Sequence, residues 1–164
     1  MRKLLFRALV ALLVLLVLPG AVSAVEDDAT VTITGSIAES IAITVSDTDL
    51  DFEDMSTAAP EIAATDVTVT TTSNSWSVTA SDEDTSNKGY METTGLVKLT
   101  NPFELSNSDG EPWTWHAMTT DFPSFMSGTT AGVVADTAWV KQEIDLLDAK
   151  GTYSITITFT AATS

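Results

Sequence analysis

The sequence predicts an all-β fold, a single antiparallel β-sandwich of about seven to nine strands. Three observations carry this. Threonine, valine and isoleucine dominate after residue 29, the β-branched residues that suit a pleated surface. They alternate with polar residues at a period of two, which marks strands with one dry and one wet face. Clusters of Asp, Ser, Asn, Gly and Pro punctuate the runs at 81–89, 107–112 and 127–132, the residues that turns require.

The last run shows the pattern most plainly. From Tyr153 to Thr160, the residues Tyr153, Ile155, Ile157 and Phe159 share one face, and Ser154, Thr156, Thr158 and Thr160 share the other. The same reading gives strands at 30–37, 41–45, 67–72, 76–81, 96–100 and 138–144, with a short piece at 50–52. Residues 139–150 also fit a short helix, because Val140, Ile144 and Leu147 recur at helical spacing. The strand is preferred there. Asp148 to Tyr153 places a glycine turn before a tyrosine that opens a strand, the pattern of a tyrosine corner in Greek-key sandwiches, either Ig-like or jelly-roll-like. An ordinary core tyrosine after a turn is the alternative, and both make Tyr153 structural.

Residues 1–24 read as a removable secretory signal peptide. Arg2, Lys3 and Arg7 supply a positive start, Ala8 to Leu18 are continuously apolar, and Pro19 and Gly20 end the run. Spanning a bilayer takes about 20 apolar residues, more than this run supplies. Val22-Ser23-Ala24 fits the cleavage pocket, so the cut is expected after Ala24. The remainder, 25–164, is about 140 residues, the size of one domain with its own core. The chain has no cysteine, which excludes disulfides and a lipid-modified N-terminal cysteine. The expected location is outside the cell or on its surface, with membrane contact only through the leader before cleavage.

Without the leader, four lysines and no arginine stand against 23 acids, a formal charge of about −19. Such a surface repels nucleic acid and anionic lipid. The catalytic inventory is thin. There is one histidine, His116, and neither a Gly-x-Ser-x-Gly elbow nor a His-Glu-x-x-His helix. A single histidine cannot hold a catalytic zinc. The expectation is a protein without enzymatic activity and without an organic cofactor.

Two features offer ligands. Asp47, Asp49 and Asp51 space oxygen donors two apart, as the first half of a calcium loop does. Phe52 and Ala58, however, stand where that loop needs glycine and glutamate, and alternation alone would put these acids on a wet face with Leu50 and Phe52 inside. Ca2+ is therefore the one cation with a candidate place, Asp82, Glu83 and Asp84 forming a second. Trp113, Trp115 and His116 lie beside Phe122 and Phe125, and in a strand the two tryptophans would share a face. Exposed, they would form a stacking platform for a sugar ring; buried, they would be core.

Asn74 to Ser81, centred on Trp76, and Gly151 to Thr160 resemble the two motifs of the WxL surface proteins, and Leu50-Asp51-Phe52 resembles their early Asp-Phe element. Val78 stands for the motif leucine, Phe159 for a tryptophan, and no glycine follows Phe52. The resemblance implies a secreted sandwich held noncovalently on cell-envelope polysaccharide, with Trp76 as a motif residue. The chain is also similar, more weakly, to TasA-like and archaeal bundling pilin subunits. That similarity implies a homopolymer in which Thr30, Val31, Thr32, Ile33 and Thr34, opening the 30–37 run, are donated to a neighbour as an assembly strand. The two expectations are thus a self-assembling or envelope-bound structural protein, and a carbohydrate-binding module built on Trp113 and Trp115.

Overall fold

The computed structural model describes residues 34–107 and 114–164. The leader, Thr30 to Ile33 and Trp113 lie outside the described residues.

The fold is an all-β sandwich of two antiparallel sheets, with eight strands among the described residues: β1 Ile41–Val45, β2 Glu61–Thr71, β3 Trp76–Asp82, β4 Glu104–Ser106, β5 His116–Ala117, β6 Phe122–Gly128, β7 Gly132–Gln142 and β8 Ile157–Thr163. One sheet has the order β1-β2-β7-β4-β5 and the other β6-β3-β8. β2 and β7 pair along their whole length, from Glu61 opposite Gln142 to Thr71 opposite Gly132. These pairs define the two ends of the sandwich, a Gly132 end and a Gln142 end.

Alternation sets what is buried. In β2, Thr65, Val67, Val69 and Thr71 face inward, and in β3 Trp76, Val78, Ala80 and Asp82 do. They meet Ala138 and Val140 of β7, Leu105 of β4 and Phe125 and Met126 of β6, and the long connections add Met91, Leu99, Phe103 and Met118. Each full burial of a Val, Leu or Phe side chain favours the fold by roughly 1.5–3 kcal/mol relative to exposure, so this layer dominates the stability.

Asp82 continues the inward phase of β3 and is 4% exposed. A buried carboxylate is costly unless it is hydrogen-bonded. Its Oδ2 accepts from Gly89 N at 2.7 Å and its Oδ1 from Asp84 N at 3.0 Å. The carboxylate therefore fixes the 83–89 loop.

Several expected elements differ. Thr34 to Ile37 form no strand and are exposed; they precede Ile41, which already lies opposite Thr71 at the end of β2. Residues 96–100 are not a strand either. Thr93 N bonds to Val97 O and Leu96 N to Thr93 O, and Leu96 takes a positive φ of 60°, so the segment turns back on itself. Leu50 and Phe52 pack against the core without joining a ladder. The helical alternative at 139–150 gives way to β7, followed by a turn after Gln142. Among the described residues, no helix is long and apolar enough to cross a membrane.

Candidate functional site

The two sheets do not close equally on both sides. β1 and β8 are each the last strand of their sheet, and their Cα atoms approach within 8 Å without forming a ladder. The apolar side chains of this seam, Ile41, Ile43 and Val45 on β1 and Ile157, Phe159 and Ala161 on β8, are only partly buried, whereas Val67, Val69, Val78 and Leu105 in the interior are fully buried. A cleft of about 600 Å³ opens between the sheets here. Its walls include Val45, Leu50 and Phe52 on one side and Ile155, Ile157 and Phe159 on the other, and it reaches inward to Leu105 and Val140.

Asp47, Asp49 and Asp51 line the same cleft. They do not converge as a cation site, since no three His, Asp or Glu side chains among the described residues are grouped to hold a metal. Two of them serve local turns instead. Asp47 Oδ1 accepts from Asp49 N at 3.1 Å, and Asp51 Oδ1 accepts from Glu53 N at 2.9 Å. The Thr65 hydroxyl ties the segment to β2, donating to Asp47 O and accepting from Asp47 N. Tyr153 also lines the cleft, and its hydroxyl donates to Ala149 O at 2.6 Å, the upstream backbone bond of a tyrosine corner.

A second depression, of about 510 Å³, is lined by Asp82, Glu83, Asp84, Tyr90 and Glu92 among others. Its carboxylates hold the loop. Backbone hydrogen bonds from Ser86 and Asn87 keep the Asp84 carboxyl below the usual carboxylate range, and Glu92 accepts from the Asn87 amide at 2.6 Å. Beside them Lys98 Nζ sits 3.7 Å above the Tyr90 ring, where its charge meets the negative face of the π system.

The aromatic cluster separates. Lys141 Nζ lies 5.0 Å over the Trp115 ring while forming an ion pair with Glu104. Trp115 therefore sits on the outer side of the five-stranded sheet, the side of Lys141. His116, one residue on, stacks on Phe122 at 4.6 Å, and its Nε2 lies 3.1 Å from Thr120 O. Trp115 and His116 do not share a face. Trp76 is in the core, 2% exposed, with Nε1 donating to Thr130 O at 3.1 Å.

In the sequence the residues of the seam show only as the apolar faces of alternating strands. Alternation shows which way Ile155, Ile157 and Phe159 point. Only strand order shows that, among the described residues, no further strand pairs beyond β1 or β8 to cover their outer flank.

No family model matches the chain, and no curated protein matches it. Among solved structures it is similar to the CsuC–CsuE chaperone–tip adhesion subunit pre-assembly complex from the archaic chaperone-usher Csu pili of Acinetobacter baumannii. The TM-score is 0.44 with 16% sequence identity, and the match covers 74% of this chain and 39% of that one.

Proposed function

We propose that this chain is an exported, non-enzymatic structural subunit of the cell surface that polymerises, residues 30–37 of one copy occupying the seam between β1 and β8 of the next. The half-covered apolar cleft along that seam is the observation that carries this reading. Unpaired sheet edges beside apolar surface invite another strand, and proteins that do not use them usually block them with charge, proline or a bulge. Neither β1 nor β8 contains a charged residue or a proline.

The proposed occupant fits by pattern. Val31, Ile33, Gly35 and Ile37 alternate with Thr30, Thr32, Thr34 and Ser36, so an extended segment would carry three aliphatic side chains on one side and hydroxyls on the other, as insertion between two sheets requires. The described part of that segment, Thr34 to Ile37, makes no strand with its own chain. Residues 1–24 would direct export and be removed, leaving the segment near the new N-terminus.

The test is assembly of residues 25–164, followed by size-exclusion chromatography and electron microscopy, beside a version lacking residues 25–37. The deletion keeps Ala38 and Ser40, which bond to Thr71 and Thr72. Polymers from the longer chain and folded monomers from the shorter one support the proposal. A longer chain that stays monomeric at millimolar concentration, or a shorter one that polymerises equally well, refutes it.

A further inference from the structure

We infer that the depression beside Tyr90 binds a neutral, hydroxyl-rich ligand, a few residues of a polysaccharide, at a place separate from the seam. It lies on the outer side of the three-stranded sheet. Because Ile155, Ile157 and Phe159 pack on the core, alternation turns Ser154, Thr156 and Thr158 outward, and all three line the depression. Thr158 lies opposite Ser81 of β3. The rest of the lining comes from the chain around Tyr90, Glu92 and Thr94 and from the carboxylates that follow β3, Glu83 and Asp84.

The lining is fixed before any ligand arrives. Glu92 N donates to Ser154 O and Ser154 N to Glu92 O, both at 2.9 Å, which ties the Tyr90 stretch to the entry of β8. Asp82 and Asp84 hold the 83–89 loop through its backbone N–H groups. A site already ordered loses little conformational freedom on binding. Its volume, about 510 Å³, falls within the range of small-molecule pockets, roughly 300–1,000 Å³.

The groups left unspent select the ligand. Among the described residues, the side chains of Ser154, Thr156 and Thr158, the Tyr90 phenol and the Glu83 carboxylate have no hydrogen-bond partner on this chain. Hydroxyls both donate and accept, whereas a carboxylate only accepts. A sugar's own hydroxyls answer that mixture, and their bonds to a carboxylate are of the stronger, charge-assisted kind. Phosphate, sulfate and nucleic acid are repelled by the acids. An apolar ligand would strand the hydroxyls without partners, which is costly. No three acids among the described residues are grouped to hold a metal. An organic cation is the nearest competitor, but the negative charge is partly spent: both oxygens of Asp82 and one each of Asp84 and Glu92 accept N–H bonds. Lys98 already holds an ammonium 3.7 Å over the Tyr90 ring.

Calorimetric titration of residues 25–164 with cellohexaose, chitohexaose and mannohexaose tests the assignment, with spermidine as the cationic comparison. At least one hexasaccharide should bind, with an affinity that holds between about 0.1 and 1 M NaCl because the ligand carries no charge to screen. Thr156→Val with Thr158→Val keeps the β-branched shape that suits a strand and removes two hydroxyls. That variant should bind roughly tenfold more weakly at an unchanged melting temperature, and Glu83→Gln should weaken binding as well. Binding by none of the three sugars, or binding that the paired threonine substitutions leave unmoved, overturns the assignment. Spermidine that displaces the sugars, and fades with salt, overturns it in favour of a cation. None of these outcomes bears on polymerisation.

Discussion

The indole of Trp76 lies directly over Gly128: a Cβ on that glycine would fall 2.3 Å from Trp76 Cζ2 and 2.4 Å from Cε2. The two residues are register partners on β3 and β6, and the missing side chain is the space the ring occupies. Gly128→Ala should therefore destabilise the protein by about 1–3 kcal/mol, the usual range for overpacking a core. Urea unfolding should show a lower midpoint with an unchanged slope. A variant as stable as the parent would mean that Trp76 has room to move.

Gly89 faces a harder constraint and should give the larger effect. Its φ is +78°, and an added Cβ would lie 2.2 Å from Thr119 N and 2.3 Å from Met118 C, which are backbone atoms. A left-handed conformation alone costs an L-residue roughly 1–2 kcal/mol, and a backbone collision cannot be relieved by a rotamer change. Gly89→Ala should cost about 3 kcal/mol or more. Asn, which tolerates positive φ, should not rescue position 89, because the collision remains. Rescue by Asn, seen in the same urea titration, would put the cause in φ alone.

These two glycines mark where the sequence was legible and where it was not. Alternation located β1 at 41–45 without error and β3 to within a residue, because a strand with one dry face displays its period whatever it pairs with. It missed β6, since Phe122-Pro123-Ser124-Phe125-Met126 has no clean period and both Phe125 and Met126 are buried where the ladder with β3 shifts register. It placed a strand at 96–100, where Leu96 and Val97 are instead exposed at a turn; β-branched composition cannot distinguish a strand from an apolar loop tip. The cleft was hidden for a different reason. Its acidic and apolar halves were visible separately, as Asp47, Asp49 and Asp51 and as the inward face of 153–160, but their meeting depends on which strands end the two sheets. That is a property of long-range order, which local periodicity does not encode.

Asp148 gives a pH dependence of definite sign. Partial burial pushes its carboxyl up, but hydrogen bonds from Asp145 and from the backbone and hydroxyl of Thr100 outweigh that and hold it below the ordinary carboxylate range. A carboxyl lowered in the folded state contributes stability that is fully present above its unfolded pKa, about 3.9, and is lost as pH falls through the folded value. The melting temperature should thus drop below pH 4, and Asp148→Asn should be less stable than the parent at pH 7 by about 1 kcal/mol, the range of a partly exposed hydrogen-bond set. The difference between the two should shrink toward pH 2. A gap that stays constant with pH would remove Asp148 charge from the explanation.

Assembly should depend on salt more steeply than folding does. In the proposed polymer, copies carrying a formal charge of about −19 once residues 1–24 are removed must approach one another, and the half-covered apolar seam is what favours contact. Screening shortens the reach of that repulsion from about 10 Å at 0.1 M to about 3 Å at 1 M salt. Raising NaCl across that range should lower the critical concentration several-fold in light scattering, while the melting temperature of the monomeric 25–37 deletion moves by only a few degrees. Because Asp47, Asp49 and Asp51 are not gathered around a common centre, Ca2+ and Mg2+ at equal concentration should act alike, through screening. A much larger effect of Ca2+ than of Mg2+, lost in Asp49→Asn, would instead make these carboxylates a cation site that forms between copies.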